Sequence, residues 1–206
     1  YHAWRSADMK TWRHLGKVAS SHWVTTAEYA DGRIFLYYDE PNDQDPHLLV
    51  GENVEGELQW TDHGKVLADP SHGSDAGVIR TREGDFHLFY EDWTPLNARE
   101  HSWDSPLAGH ASSPDGITGF RPHEFPFPID DRTTPTERFG TYDHSSRDQP
   151  LVYRIHEGEQ DAYGDYTAIQ VGDRCYLFCD YDPHGEPMRV GCWWSDSVFT
   201  PFTWSG

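Results

Sequence analysis

The sequence predicts an all-β fold assembled from repeated four-stranded units, the blades of a propeller. Three observations carry this expectation. Nine Trp, eleven Tyr and ten Phe stand among eighteen Gly and fourteen Pro, a mixture that suits short strands joined by irregular loops. No segment sustains apolar residues at i, i+3, i+4 and i+7 for three turns, because Gly or Pro interrupts every helical candidate. One phrase also recurs along the chain: a turn with Gly, then an aromatic strand that ends in acids.

The phrase reads DGRIFLYYDE, EGDFHLFYED and GDRCYLFCDYD, and it places Asp39, Asp92, and Asp180 with Asp182 near the strand ends. Each copy is preceded by a strand beginning near an acid: Glu28 in TTAEYA, Asp75 in HGSDAGVIR and Asp165 in YGDYTAIQV. A second phrase joins a small polar strand, a Ser and Asp turn and an aromatic strand, as WRSADMKTW, ASSPDGITGF and WWSDSVFTPFTW. Together these give an inner strand, a turn, an aromatic strand, a longer loop, a polar strand, a tight turn and an outer strand, which is the pattern of a blade.

Residues 1–18 supply the last two strands of one blade, and three whole blades follow. A propeller closes its ring, so a ring larger than four blades is expected, with further text at both ends. Gly32 to Gly84 spans 52 residues and Gly84 to Gly172 spans 88. The surplus falls in Arg121 to His156, Pro-rich and charged, which is expected to be a long inter-strand loop within a single domain over residues 1–206. A β-sandwich, the rival all-β fold, would alternate without the fifty-residue period.

The chain is 36% hydrophobic over 206 residues, enough for one core. Its 35 acidic against 16 basic residues give a formal charge of −19. That field repels phosphate backbones, so no nucleic acid partner is expected. It argues equally against sulfated or uronic polysaccharides and suits a neutral sugar or a cation. No apolar run reaches the length of a membrane span, so no membrane partner is expected either. Cys175, Cys179 and Cys192 have no CxxC spacing and read as buried thiols, with a Cys179 to Cys192 bridge as the alternative.

In a propeller the innermost strands converge on the axis, so Glu28, Asp75 and Asp165 are expected to meet in one pocket. Cleaving a glycosidic bond takes two carboxyl groups, one protonated and one ionised. A third nearby raises the pKa of the acid by like-charge repulsion. The segment EDWTPLNAREHSWDSPLAGH gathers Asp92, Trp93, Asn97, Arg99, His101, Trp103, Asp104 and His110 in a blade loop. Sugar C–H faces pack on Trp, and sugar hydroxyls bond to Asp, Arg and His. The alternative is a loop pinned by its own contacts. His72, His101, His110 and His156 are scattered between blades without HExxH spacing, so no cofactor is required, although the histidines leave room for a single divalent metal ion of unknown ligands.

These residues resemble a known family, the five-bladed β-propeller glycosidases related to glycoside hydrolase family 43, and within them glycoside hydrolase family 117, the α-1,3-neoagarobiose hydrolases. The resemblance rests on TTAEYADG, YYDEPNDQDPHL, DPSHGSDAG, YEDWTPLNAREHSWDSPLAGHASSPDG and IHEGEQDAYGDYTA followed by YLFCDYDPHG. It implies an exo-acting enzyme that removes 3,6-anhydro-L-galactose from neoagaro-oligosaccharides during agar degradation. It further implies that Asp75 is the modulating carboxylate, that His156 with Glu157 holds the acid position, and that the base precedes Tyr1, leaving this stretch alone inactive. His123 with Glu124 is a second His-Glu pair, but it follows an outer strand. Glu28, His72, Asp92, Trp93, Arg99, His101, Trp103 and Asp165 are the expected substrate-binding residues.

An arabinofuranosidase or xylosidase on the same scaffold, or a carbohydrate-binding propeller without catalysis, are the competing readings. A neutral oligosaccharide is the expected partner, a homodimer is compatible with the sequence, and the periplasm or the exterior of a bacterium is favoured over the cytoplasm.

Overall fold

The computed structural model describes residues 1–18, 23–40, 45–55, 57–68, 74–92, 107–123, 137–138, 153–154, 162–182, 187–199 and 202–205. A hairpin of β1 (His2–Ser6) and β2 (Trp12–Lys17) comes first. The first blade follows as β3 (Trp23–Ala30), β4 (Arg33–Asp39), β5 (Pro46–Val54) and β6 (Glu57–Lys65). The middle blade is β7 (Ser74–Arg80), β8 (Phe86–Asp92), β9 (Leu107–Ser113) and β10 (Arg121–Pro122). Next comes a two-residue ladder of β11 (Glu137–Arg138) with β12 (Tyr153–Arg154). The last blade is β13 (Ala162–Val171), β14 (Arg174–Asp182), β15 (Arg189–Ser195) and β16 (Thr203–Trp204).

Within each blade every strand pairs antiparallel with its chain neighbour. This is an all-β propeller architecture, three blades plus the hairpin. Between Arg121 and His156 the described residues are β10, His123, β11 and β12, and the rest of that segment lies outside the described residues.

Local chemistry sets the turns. Ala30 pairs with Arg33 across Asp31 and Gly32, whose φ values are 51° and 80°. Two left-handed residues in a two-residue loop twist the hairpin with the strands, and Asp followed by Gly is the pair that tolerates it. The Ser and Asp phrase makes a second kind of turn. Asp8 accepts the N–H groups of Lys10 and Thr11 at 2.9 and 2.8 Å. Asp115 likewise accepts those of Ile117 and Thr118 at 2.8 and 2.7 Å.

The blades stack face to face. Phe35, Tyr37, Leu48 and Val50 of the first pack on Ala76, Val78, Phe86, Leu88 and Tyr90 of the middle one. Ile79, Phe89 and Ala108 of the middle blade pack on Tyr163, Tyr166, Leu177, Trp193 and Phe202 of the last. Full burial of each such side chain stabilises the fold by about 1.5–3 kcal/mol. The Tyr37 hydroxyl donates to the Gly116 carbonyl at 2.7 Å, so this buried polar group is satisfied across the first junction.

Between the middle and last blades the inner strands approach so closely that a Cβ at Gly77 would sit 2.5 Å from the Tyr166 carbonyl oxygen. The three cysteines are free thiols. Cys179 stands opposite Gly191 and Cys192 opposite Phe178, which puts the two sulfurs on opposite sheet faces and removes the bridge alternative.

Candidate active site

The strand ladders bring the repeat into register. Phe89 pairs with Gly77 and Glu91 with Ser74, leaving Asp75 and Ala76 as a bulge opposite Tyr90. One blade on, Phe178 pairs with Thr167 and Asp180 with Gly164, leaving Asp165 and Tyr166 opposite Cys179. Asp75 and Asp165 are therefore equivalent. Both have left-handed backbones, with φ of 46° and 50°. Asp is one of the few residues with a side chain that enters this region at modest cost, and such bulges re-aim side chains. In the first blade the irregularity is smaller, with Thr25 bulged between Val24 and Thr26.

The same ladders correct one sequence expectation. Leu36, Leu88 and Leu177 pair with Ala27, Val78 and Ala168, so Glu28 matches Ile79 and Ile169 rather than Asp75 and Asp165. Glu28 lies roughly 10 Å further along the inner strand, toward the opposite end. There its carboxylate accepts the Arg80 N–H at 3.2 Å and the Tyr29 N–H at 2.9 Å. Arg80 pairs with Asp31 at 2.9 Å, and Arg82 with Asp173 at 2.6 Å. Glu28 thus joins neighbouring blades at the far end and is not brought together with the other two.

A second tier of acids lies beside the bulges. Aligning Leu36, Leu88 and Leu177 makes Asp39, Glu91 and Asp180 equivalent, each at the end of the second strand. Asp39 is 0% and Glu91 1% exposed. An Asp39 carboxylate oxygen accepts the Asp75 N–H at 3.2 Å, across the junction of two blades. Sequence reasoning chose Asp92 as the equivalent of Asp39. The Leu and aromatic pair before each acid was the signal that would have chosen Glu91.

The two bulge carboxyls differ in surroundings. Asp75 is half-buried, and Asp165 is the more exposed of the two. Partial burial and then the neighbouring Asp180 carboxylate push the Asp165 pKa above its ordinary 3.8. Asp165 therefore holds a proton to higher pH than a free carboxyl.

His110, expected in the binding segment, lies in a packed stack between the middle and last blades. His87 and His110 are 1% and 2% exposed, and their ring nitrogens are 2.9 Å apart. His110 stacks on Phe89, and Phe199 of the last blade approaches the stack edge-on to His87. Burial, with the nearby His123, brings His87 down to about 4. Burial, with His87 and His123, brings His110 down to about 2. The stack is neutral packing at ordinary pH. His123 sits beyond β10, with Nε2 2.6 Å from the Ser112 hydroxyl.

Among the described residues no group of three or more His, Cys, Asp or Glu is arranged to hold a metal ion. Asp92 ends β8 opposite Leu107. His72, Trp93, Arg99, His101, Trp103, Glu124, His156 and Glu157 lie outside the described residues.

No protein-family model matches the chain, and no curated protein does. Solved structures match its fold. An endo-arabinase from Bacteroides thetaiotaomicron is 13% identical with a TM-score of 0.57, over 99% of this chain and 70% of its own. A family 43 arabinoxylan arabinofuranohydrolase from Bacillus subtilis is 16% identical with a TM-score of 0.58, over 100% of this chain and 43% of its own. A family 117 glycoside hydrolase from the marine bacterium Zobellia galactanivorans is 13% identical with a TM-score of 0.57, over 89% and 54%. The chain spans as little as 24% of a bifunctional enzyme from Bacteroides eggerthii. The shared fold is the five-bladed β-propeller.

Proposed function

We propose that the protein containing this chain is an exo-acting glycoside hydrolase that cleaves a neutral oligosaccharide at the axial end marked by Asp75 and Asp165. The observation that carries this reading is the pair of equivalent bulges: two carboxyls, on the inner strands of adjacent blades, each held in a left-handed backbone. Such strained, re-aimed residues cluster where chemistry is done. The raised pKa of Asp165 adds a carboxyl shifted toward its protonated form, the kind of tuning that glycoside cleavage uses. The glycosidases that share the fold support the same class.

In this reading Asp75 modulates the reacting pair, His156 with Glu157 donates the proton, and Asp165 hydrogen-bonds a sugar hydroxyl. The substrate is 3,6-anhydro-L-galactose at the non-reducing end of a neoagaro-oligosaccharide, an uncharged sugar that a protein of charge −19 does not repel. The glycosidic C–O bond breaks as the acid protonates the leaving oxygen, and a water molecule supplies the new C–O bond and the returning proton, with no cofactor.

The test incubates the intact protein with neoagarobiose and, in parallel, with neutral arabino- and xylo-oligosaccharides, and identifies the released sugar. Release of 3,6-anhydro-L-galactose is expected. Release of arabinose or xylose instead keeps the hydrolase and rejects the agar substrate. Sugar binding without any turnover rejects catalysis.

A further inference from the structure

We propose that Asp39 is the positioning residue for Asp75: its buried carboxylate, from the preceding blade, holds the Asp75 backbone N–H and fixes the left-handed bulge that aims the Asp75 side chain. This rests on the reading of Asp75 as a site carboxylate. Three observations converge on Asp39. It is fully buried at the end of β4. One of its oxygens lies 3.2 Å from the Asp75 nitrogen, 36 residues away in the chain. The residue it holds has a φ of 46°, a conformation that is rare for a residue with a side chain though one Asp enters more readily than most.

A carboxyl group in the interior is costly unless its oxygens are hydrogen-bonded, and the Asp75 N–H supplies one such bond. That bond matters here because it crosses between blades. The Glu28 bond to Arg80, the Thr26 bond to Val78 and the packing of Ala76 tie the same two blades. The Asp39 bond adds a hold on the Asp75 backbone itself, where a shift of about 1 Å at a reacting group costs up to 10²-fold in rate. Acids recur at the equivalent positions, Glu91 and Asp180. Asp180 acts on its own blade's bulge through charge, raising Asp165, whereas Asp39 acts on the next blade's bulge through a hydrogen bond.

The experiment compares Asp39→Ala and Asp39→Asn in the intact protein. Asp39→Ala removes the acceptor, and Asp39→Asn keeps a neutral one at the same place. The first readout is exchange of the Asp75 backbone amide with deuterium, expected to be at least about tenfold faster in Asp39→Ala and close to wild type in Asp39→Asn. The second is turnover of the sugar that the wild type cleaves. For Asp39→Ala, kcat is expected to fall about tenfold with KM within about twofold, and Asp39→Asn should recover most of the loss.

Unchanged amide exchange in a folded Asp39→Ala protein overturns the assignment, as does unchanged kcat. Should Asp39→Ala not fold, an Asp75 amide that exchanges in wild type as fast as an exposed loop overturns it equally. If the wild type cleaves no sugar at all, the glycosidase reading falls, and the amide measurement alone decides the role of Asp39.

Discussion

Asp75 and Asp165 occupy the same bulge in successive blades, yet the fold treats them oppositely. Asp75 is half-buried and its backbone is held by a buried carboxylate from the blade before it. Asp165 is the more exposed of the two, and the partial burial of its carboxyl, followed by Asp180 of its own blade, pushes it toward its protonated form. One repeated phrase thus yields one carboxyl fixed in position and another shifted in protonation. Repetition supplied the geometry, and the neighbours supplied the difference.

The largest way to break that contrast is Asp75→Asn. Asn tolerates the left-handed backbone, so the bulge should persist while the charge is lost. The value of kcat/KM is expected to fall by about 10²-fold or more, with the circular dichroism spectrum unchanged. A variant that retains full activity would reduce Asp75 to a structural twin of Asp165.

Gly77→Ala attacks the junction that sets the two bulges beside each other. Its Cβ would meet the Tyr166 backbone at 2.5 Å, and backbone cannot rotate away as a side chain can. A loss of about 1–3 kcal/mol is expected in urea unfolding, through overpacking. An unchanged midpoint would mean that the inner strands separate at little cost.

Asp180→Asn sharpens the contrast instead of breaking it. Removing the neighbouring charge should lower the Asp165 pKa toward 3.8, which carboxyl carbon titration by NMR would follow. Because the pKa of Asp165 is raised in the folded protein, its proton stabilises the fold below pH 3.8, and that contribution is lost as the pH rises through the folded value. In the variant the loss should be smaller and should come at lower pH. No movement of the Asp165 titration would assign the shift to burial alone.

Asp115 supplies a control away from the bulges. Partial burial raises its pKa, but the Thr118 and Ile117 N–H groups and the Thr118 and Ser113 hydroxyls outweigh this and bring it to about 2. Asp115→Ala is expected to cost about 1 kcal/mol, because the turn is exposed and solvent screens the charge. The wild-type contribution is present above pH 3.8 and fades as the pH falls through about 2. A pH-independent difference between wild type and variant would show that the turn needs only the bonds and not the ionised form.

The blade pattern was legible in the sequence because it depends on local chemistry. Strand alternation, the Asp and Gly hairpin at 31–32, and the Ser and Asp turns at Asp8 and Asp115 need only a few adjacent residues. The site was legible in part. Asp75 and Asp165 stand out as acids before aromatic strands, but the misplacement of Glu28 and the choice of Asp92 over Glu91 show where chain text falls short. Both errors come from matching acids by their type near a strand end, whereas equivalence is set by register: aligning Leu36, Leu88 and Leu177 puts Glu91 with Asp39, and their partners put Glu28 with Ile79 and Ile169.

By itself, then, the sequence determined an all-β chain of repeating four-stranded blades, its turns, and the acids clustered at strand ends. The tertiary structure alone decided which of those acids share an end of the molecule, that Asp39 reaches Asp75 across a blade junction, and that His110 packs in a buried stack. It also decided that β8 is buried on both faces while β14 is buried on alternate residues. The physical reason is one of range. Hydrogen bonds within a turn or hairpin are set by neighbours in the chain, whereas burial, inter-blade bonds and the pKa of a carboxyl depend on groups tens of residues away, which only the packing of one blade on another brings near.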